Sequence, residues 1–163
     1  MIKTFNLYET IEELVNKSAQ KVAVERGINS EEIHRRRVCR FMSAELVSQL
    51  LDNGIQAQTE SRAHDAIDEH RYVVIKPGDQ GDEREVLIDA TWQQFLPEGT
   101  DTSNLPKALV GTREEVVYQA AAAGIAEGDL KIWKSADTTT LTRHLLPHEI
   151  VARAVDNRMS API

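Results

Sequence analysis

Apolar side chains fall first into two helical stripes and then into short strand-like runs. Ile11, Leu14, Val15, Ala19 and Val22 recur at three- and four-residue spacing, which puts them on one side of a helix. Thr10 followed by Glu13 reads as a capping box that starts this helix, and Gly27 as its stop. Ser30 opens a short polar helical turn over residues 31–37. Met42, Leu46 and Leu50, with Val47 and Leu51, form the second stripe and predict a helix over residues 39–53 ended by Gly54. Cys39 therefore falls at or near a helix amino terminus.

The period then changes. Residues 55–59 alternate and suit a strand, and residues 72–75, Tyr-Val-Val-Ile, suit a central one. Residues 77–82 are a strong turn signal, and residues 86–88 read as the return strand of a β-hairpin. Beyond Pro97, Thr112 and Glu115 make a capping box for a helix ending near Gly124. A last helix is expected over residues 147–157, with Pro147 in its first turn, and a frayed tail over 158–163. The sum predicts one α+β domain over residues 1–163, with a catalytic segment near 38–95 and a helical cover over 99–157.

Composition narrows the classes. The chain has 163 residues, 28% of them charged and 41% hydrophobic, enough for one compact core. A net charge of -7 argues against a nucleic-acid partner, although Arg35, Arg36, Arg37 and Arg40 make a local basic run. That run reads first as a solvated face, and its place just before the thiol would suit an acidic substrate surface. A single cysteine excludes an internal disulfide and a cysteine-rich metal site. The first residues carry no apolar signal core, and no apolar stretch is long enough to span a membrane. The expectation is a cytoplasmic chain with no membrane partner, export by a signal-less route being the alternative.

One constellation carries chemistry. A thiol attacks a carbonyl efficiently as a thiolate, which a helix amino terminus and a neighbouring imidazolium both stabilise. With a turn centred near residue 80, cross-strand partners sum to about 159 or 160. His70 and Asp89 then face each other across the hairpin, so Asp89 can orient the imidazole. The Gln94 amide is a candidate oxyanion donor together with the backbone N–H of Cys39. His64 is a second candidate base, read as lying in a polar loop without a paired strand. His144 and His148 have ligand-like spacing, yet Pro147 intervenes and no third ligand is evident, so neither metal nor cofactor is expected. Trp92 and Trp133 read as core or cleft wall, with Trp92 and Arg40 as secondary candidates for substrate contact.

The order of Cys at a helix start, His at a strand start and Asp at the next strand's end resembles the transglutaminase-like branch of the papain-like fold. Asp89-Ala90-Thr91-Trp92-Gln93-Gln94-Phe95 is similar to the Asp-x-Thr-x-x-Gln-Phe stretch of its bacterial members, most of all the protein-glutamine deamidase toxins and effectors. The resemblance covers residues 38–95. It departs at Val38, where a glycine or small polar residue is expected, and the papain signature around the thiol is absent. It implies a nucleophile helix packed on a small antiparallel sheet. It also implies a Cys39-His70-Asp89 triad with Gln94 at the oxyanion, and a protein substrate carrying a reactive glutamine, including one from a host. Proteolysis, acyl transfer to an amine and a non-catalytic interaction module on the same fold are the alternatives.

Overall fold

The computed structural model describes residues 7–64, 68–76 and 84–134. The expected helix over 147–157, the tail, His144 and His148, and the whole 77–82 turn lie outside them. The described architecture is α+β, built on a four-stranded antiparallel sheet. Helix α1, Leu7–Arg26, and helix α2, Cys39–Asp52, cover one face of the sheet. Strands β1, Ala57–His64, β2, Asp68–Ile75, β3, Val86–Asp89, and β4, Leu109–Gly111, lie in sequence order across it. Helix α3, Arg113–Ala123, and 3-10 turns at Trp92–Phe95 and Glu127–Ile132 close the other face. No described helix is long and apolar enough to cross a membrane.

Alternation along β2 feeds both layers. Val73 and Ile75 join Val86 and Ile88 beneath the stripes Ile11, Leu14, Val15 and Met42, Leu46, Leu50. Tyr72 and Val74 point the other way, onto Leu87, Leu109, Val116, Trp92 and Trp133. Two apolar faces make the central strands continuous hydrophobic runs, and all four residues of β3 are buried.

Four expectations change. Helix α1 begins at Leu7, a turn before the expected cap, because Leu7 still packs on the core; Thr10 lies inside the helix. Strand β1 continues through residue 64 and pairs fully with β2, so His64 sits in a paired strand opposite Asp68. Strand β4 was not anticipated; it lies beside β3 at the edge of the sheet. The β2–β3 register sets Val73 opposite Ile88 and Val74 opposite Leu87, so partner numbers sum to 161. Continued one step, that register puts Tyr72 opposite Asp89. His70 and Asp89 are diagonal rather than direct neighbours, on the same sheet face because the offset is two residues.

The outer part of β1 is polar for a structural reason. Glu60 and Glu85 bracket the guanidinium of Arg113, with contacts of 2.7 and 2.9 Å. Arg62 donates to the backbone oxygens of Lys134 at 2.6 Å and Lys131 at 3.2 Å. The Tyr72 hydroxyl lies 2.7 Å from the oxygen of Ile132. These bonds satisfy the carbonyls at the end of the last 3-10 turn, and they fix Trp133 over the sheet. Helix α3 starts with the expected capping box between Thr112 and Glu115 and stops at Gly124, whose φ of 107° is left-handed.

Candidate active site

Cys39 is the first residue of α2. Val38 precedes it as an N-cap without a side-chain cap bond, and the first intrahelical bond runs from Met42 N–H to Val38 O. The amide groups of the first turn are therefore without intrahelical acceptors, and the helix dipole places positive potential at the thiol. The side chain is partly exposed. His70 and Asp89, by contrast, are fully buried, so the three groups run from the core outward with sulfur at the solvent end.

His70 Nε2 contacts Asp89 Oδ2 at 2.6 Å. The same oxygen accepts the indole N–H of Trp133 at 2.6 Å, and Oδ1 accepts the backbone N–H of Thr91 at 3.0 Å. Asp89 is thus clamped on both oxygens and aims one of them at the imidazole. Phe95 packs edge-on against the His70 ring, with centroids 4.8 Å apart, and fixes its plane. The remaining ring nitrogen, Nδ1, is buried and has no partner of full hydrogen-bond geometry. It is the nitrogen left for the Cys39 sulfur, and loose alignment of such a contact is common before substrate binds. The two ring nitrogens exchange the roles they have in the serine-protease triad, where Nδ1 faces the carboxylate.

The electrostatics follow from these contacts. Burial alone would raise the Cys39 pKa, but hydrogen bonding and charge from His70, and the backbone N–H of Arg71, outweigh it and leave the thiol below its ordinary value. Burial alone would lower His70. The Asp89 charge and hydrogen bond, with smaller contributions from Cys39, overcome it and raise His70 to about 9. Both shifts favour the thiolate–imidazolium form near neutral pH.

The other expected residues take different places. Gln94 donates from Nε2 to Thr91 O at 3.0 Å and to Thr91 Oγ1 at 3.2 Å, while its Oε1 is buried without a partner. Its amide hydrogens are directed at the Thr91 turn in this form. Trp92 is fully buried and donates to Pro106 O at 3.1 Å, so it belongs to the core and not to a substrate surface. Arg40 is exposed beside the thiol, 4.0 Å from Glu69. His64 pairs with Asp129 at 2.7 Å, with its ring against Phe95 on the side of the sheet that carries His70.

His34, and the contact that Trp133 makes with Asp89, escape the sequence. His34, in a 3-10 turn at Ile33–Arg35, donates from Nδ1 to Ala90 O at 2.6 Å and pins the bend that follows Asp89. Burial, the largest influence, keeps its pKa below the ordinary value, and Lys107 adds to this while the Ala90 bond opposes it. Trp133 reaches Asp89 from 44 positions downstream. No local spacing marks either residue, since each acts through an interaction that only the folded chain creates.

No family model matches this chain, and neither does any curated protein or solved structure.

Proposed function

We propose that this chain is a papain-like cysteine amidohydrolase of the transglutaminase-like branch, and that it converts glutamine side chains of a protein substrate to glutamate. One observation carries the reading: a partly exposed thiol at an uncapped helix start, with its pKa drawn down by a buried imidazole that Asp89 and Trp133 hold in place. A purely structural cysteine has no use for that arrangement.

The chemistry proceeds in two halves. Cys39 thiolate attacks the carboxamide carbon, and the carbonyl electrons move to oxygen. The backbone N–H of Cys39 supplies the first donor to this oxyanion; Gln94 joins only by releasing Thr91. The His70 imidazolium gives its proton to the leaving nitrogen, ammonia departs, and a thioester remains. Neutral His70 then takes a proton from water as the water attacks the thioester. Collapse returns the thiolate and imidazolium and releases the carboxylic acid. Water in and ammonia out balance the sum, and no oxidant or metal enters.

Incubation of glutamine-containing proteins and peptides with the wild-type chain is expected to raise their mass by about one dalton per site, with Cys39→Ser inactive. Peptide cleavage in place of this gain would make the site a protease. A stable amine adduct formed faster than glutamate would make it a transferase. No Cys39-dependent change in any glutamine substrate would remove the amidohydrolase reading.

A further inference from the structure

We infer that the lip around Cys39 is a docking surface for acidic peptide segments, so that the favoured glutamine lies in a run of aspartate and glutamate. The inference rests on the deamidase reading for its substrate and on the surface charges for its sign. Arg36 and Arg37 are exposed on the chain that leads into α2, and Arg40 is exposed one residue after the thiol. Arg71 follows His70, and its backbone N–H, with His70, holds the Cys39 thiol below its ordinary value. The α2 amino terminus adds partial positive charge at the same spot.

The opposing charge comes from Glu31, exposed in the turn before the arginine run, and from Glu69 and Glu32. Glu69 is shared, 2.7 Å from Arg71 and 4.0 Å from Arg40. Glu32 reaches Arg36 at 3.8 Å across two exposed side chains. Arg37 makes no ion pair among the described residues. Exposed pairs of this kind are worth about 0–1 kcal/mol, so substrate carboxylates can displace them. The chain as a whole carries -7, so the lip is opposite in sign to the net charge, and its local potential would steer an anionic segment to the thiol. Phe41, partly exposed with the Arg26 guanidinium 3.9 Å over its ring, extends the same surface toward α1. A nucleic acid is also anionic, but it offers no carboxamide side chain of the kind the adjacent site would use.

Two measurements test the inference. The first compares Cys39 alkylation by iodoacetate and by iodoacetamide, in wild type and in Arg36→Gln/Arg37→Gln/Arg40→Gln, at low salt. Both reagents meet the same thiolate, so their rate ratio reads the local potential and needs no enzymatic turnover. The ratio is expected to fall by about threefold or more in the variant and to fall in wild type as salt is added. A ratio that the substitutions leave unchanged would overturn the lip. The second compares glutamine peptides flanked by glutamate with the same peptides flanked by serine. Wild type is expected to deamidate the acidic set at least about tenfold faster, and the variant to lose that preference. Equal rates in wild type would overturn the acidic-segment inference and leave the deamidase reading intact. Turnover of neither set would sink the deamidase reading, and the alkylation ratio would still decide the lip. Protection of Cys39 from iodoacetamide by oligothymidylate but not by an oligoglutamate peptide would overturn the choice of partner.

Discussion

Replacing Cys39 with serine should turn a pH-flat stability into a falling one. Above the lowered Cys39 value and below the raised His70 value of about 9, the folded wild type holds one proton on the pair, on His70, with Cys39 as thiolate. Between the ordinary imidazole and thiol values, about 6.5 and about 8.5, the unfolded chain also holds one proton there, on the thiol, with the imidazole neutral. Equal proton counts give no slope. The signs of the two contributions are opposite. His70, raised in the folded state, contributes stability that is complete below 6.5 and lost as pH rises through its folded value. Cys39, lowered in the folded state, contributes stability that is complete above the ordinary thiol value and lost as pH falls through its folded one. Serine removes the second contribution and leaves the first, because the Asp89 contributions to His70 exceed those of Cys39. The folded variant then binds one proton more than the unfolded chain, and its stability should fall by about 1.4 kcal/mol per pH unit just above 6.5. A loss on the order of 2 kcal/mol by pH 8.5 is expected, smaller than the full rise of His70 to about 9 would give, since the thiolate is gone. Urea unfolding followed by the fluorescence of the two buried tryptophans, Trp92 and Trp133, reads this directly. His34, held below its ordinary value, acts only on the acid side of this window. A Cys39→Ser profile as flat as wild type, or a wild type that falls as steeply as the variant, would refute the thiolate–imidazolium assignment.

Trp133→Phe keeps the aromatic packing and removes one of the three donors on Asp89, a bond worth about 1.5–3 kcal/mol. If the ion pair feels all of it, the apparent pKa of Cys39 alkylation rises by about 1–2 units with the rate at high pH unchanged; a superimposable pH profile would show that Trp133 serves the core alone. Gly111→Ala should destabilise the fold by about 1–3 kcal/mol, measured by thermal unfolding, because Gly111 has φ 149° and an added Cβ would meet Glu115 Oε1 at 2.6 Å, the oxygen that completes the α3 capping box. An unchanged melting temperature would count against that geometry.

Much of the fold was legible because its drivers are local. The stripes of α1 and α2, the runs of β2 and β3 and the Thr112–Glu115 box each occupy a few residues, and the structure has them nearly where the pattern puts them. The second half of β1 was hidden because Glu60, Arg62 and His64 look like a solvated loop. Their partners, Arg113, the carbonyls of residues 131 and 134, and Asp129, lie far along the chain. The His70–Asp89 pairing survived a misjudged register because a shift of two residues keeps the sheet face and changes a direct neighbour into a diagonal one. A shift of one would have put the carboxylate in the opposite core.

The support around Asp89 also bears on what the site is for. A buried, fully clamped carboxylate–imidazole pair is an expensive way to stabilise a core, since apolar side chains of similar volume commonly do as well or better. Such a pair is worth keeping where its outer nitrogen has a task, and here that nitrogen lacks a well-formed partner and borders a partly exposed sulfur. Arg62, Tyr72 and Arg113 hold the carbonyls beside Trp133, Trp133 and Thr91 hold Asp89, and Asp89 with Phe95 holds His70. Each step restricts the next, and the restriction ends at the thiol. A hydrophobic cysteine would need none of these steps, whereas a nucleophile that must stay ionised near neutral pH depends on all of them.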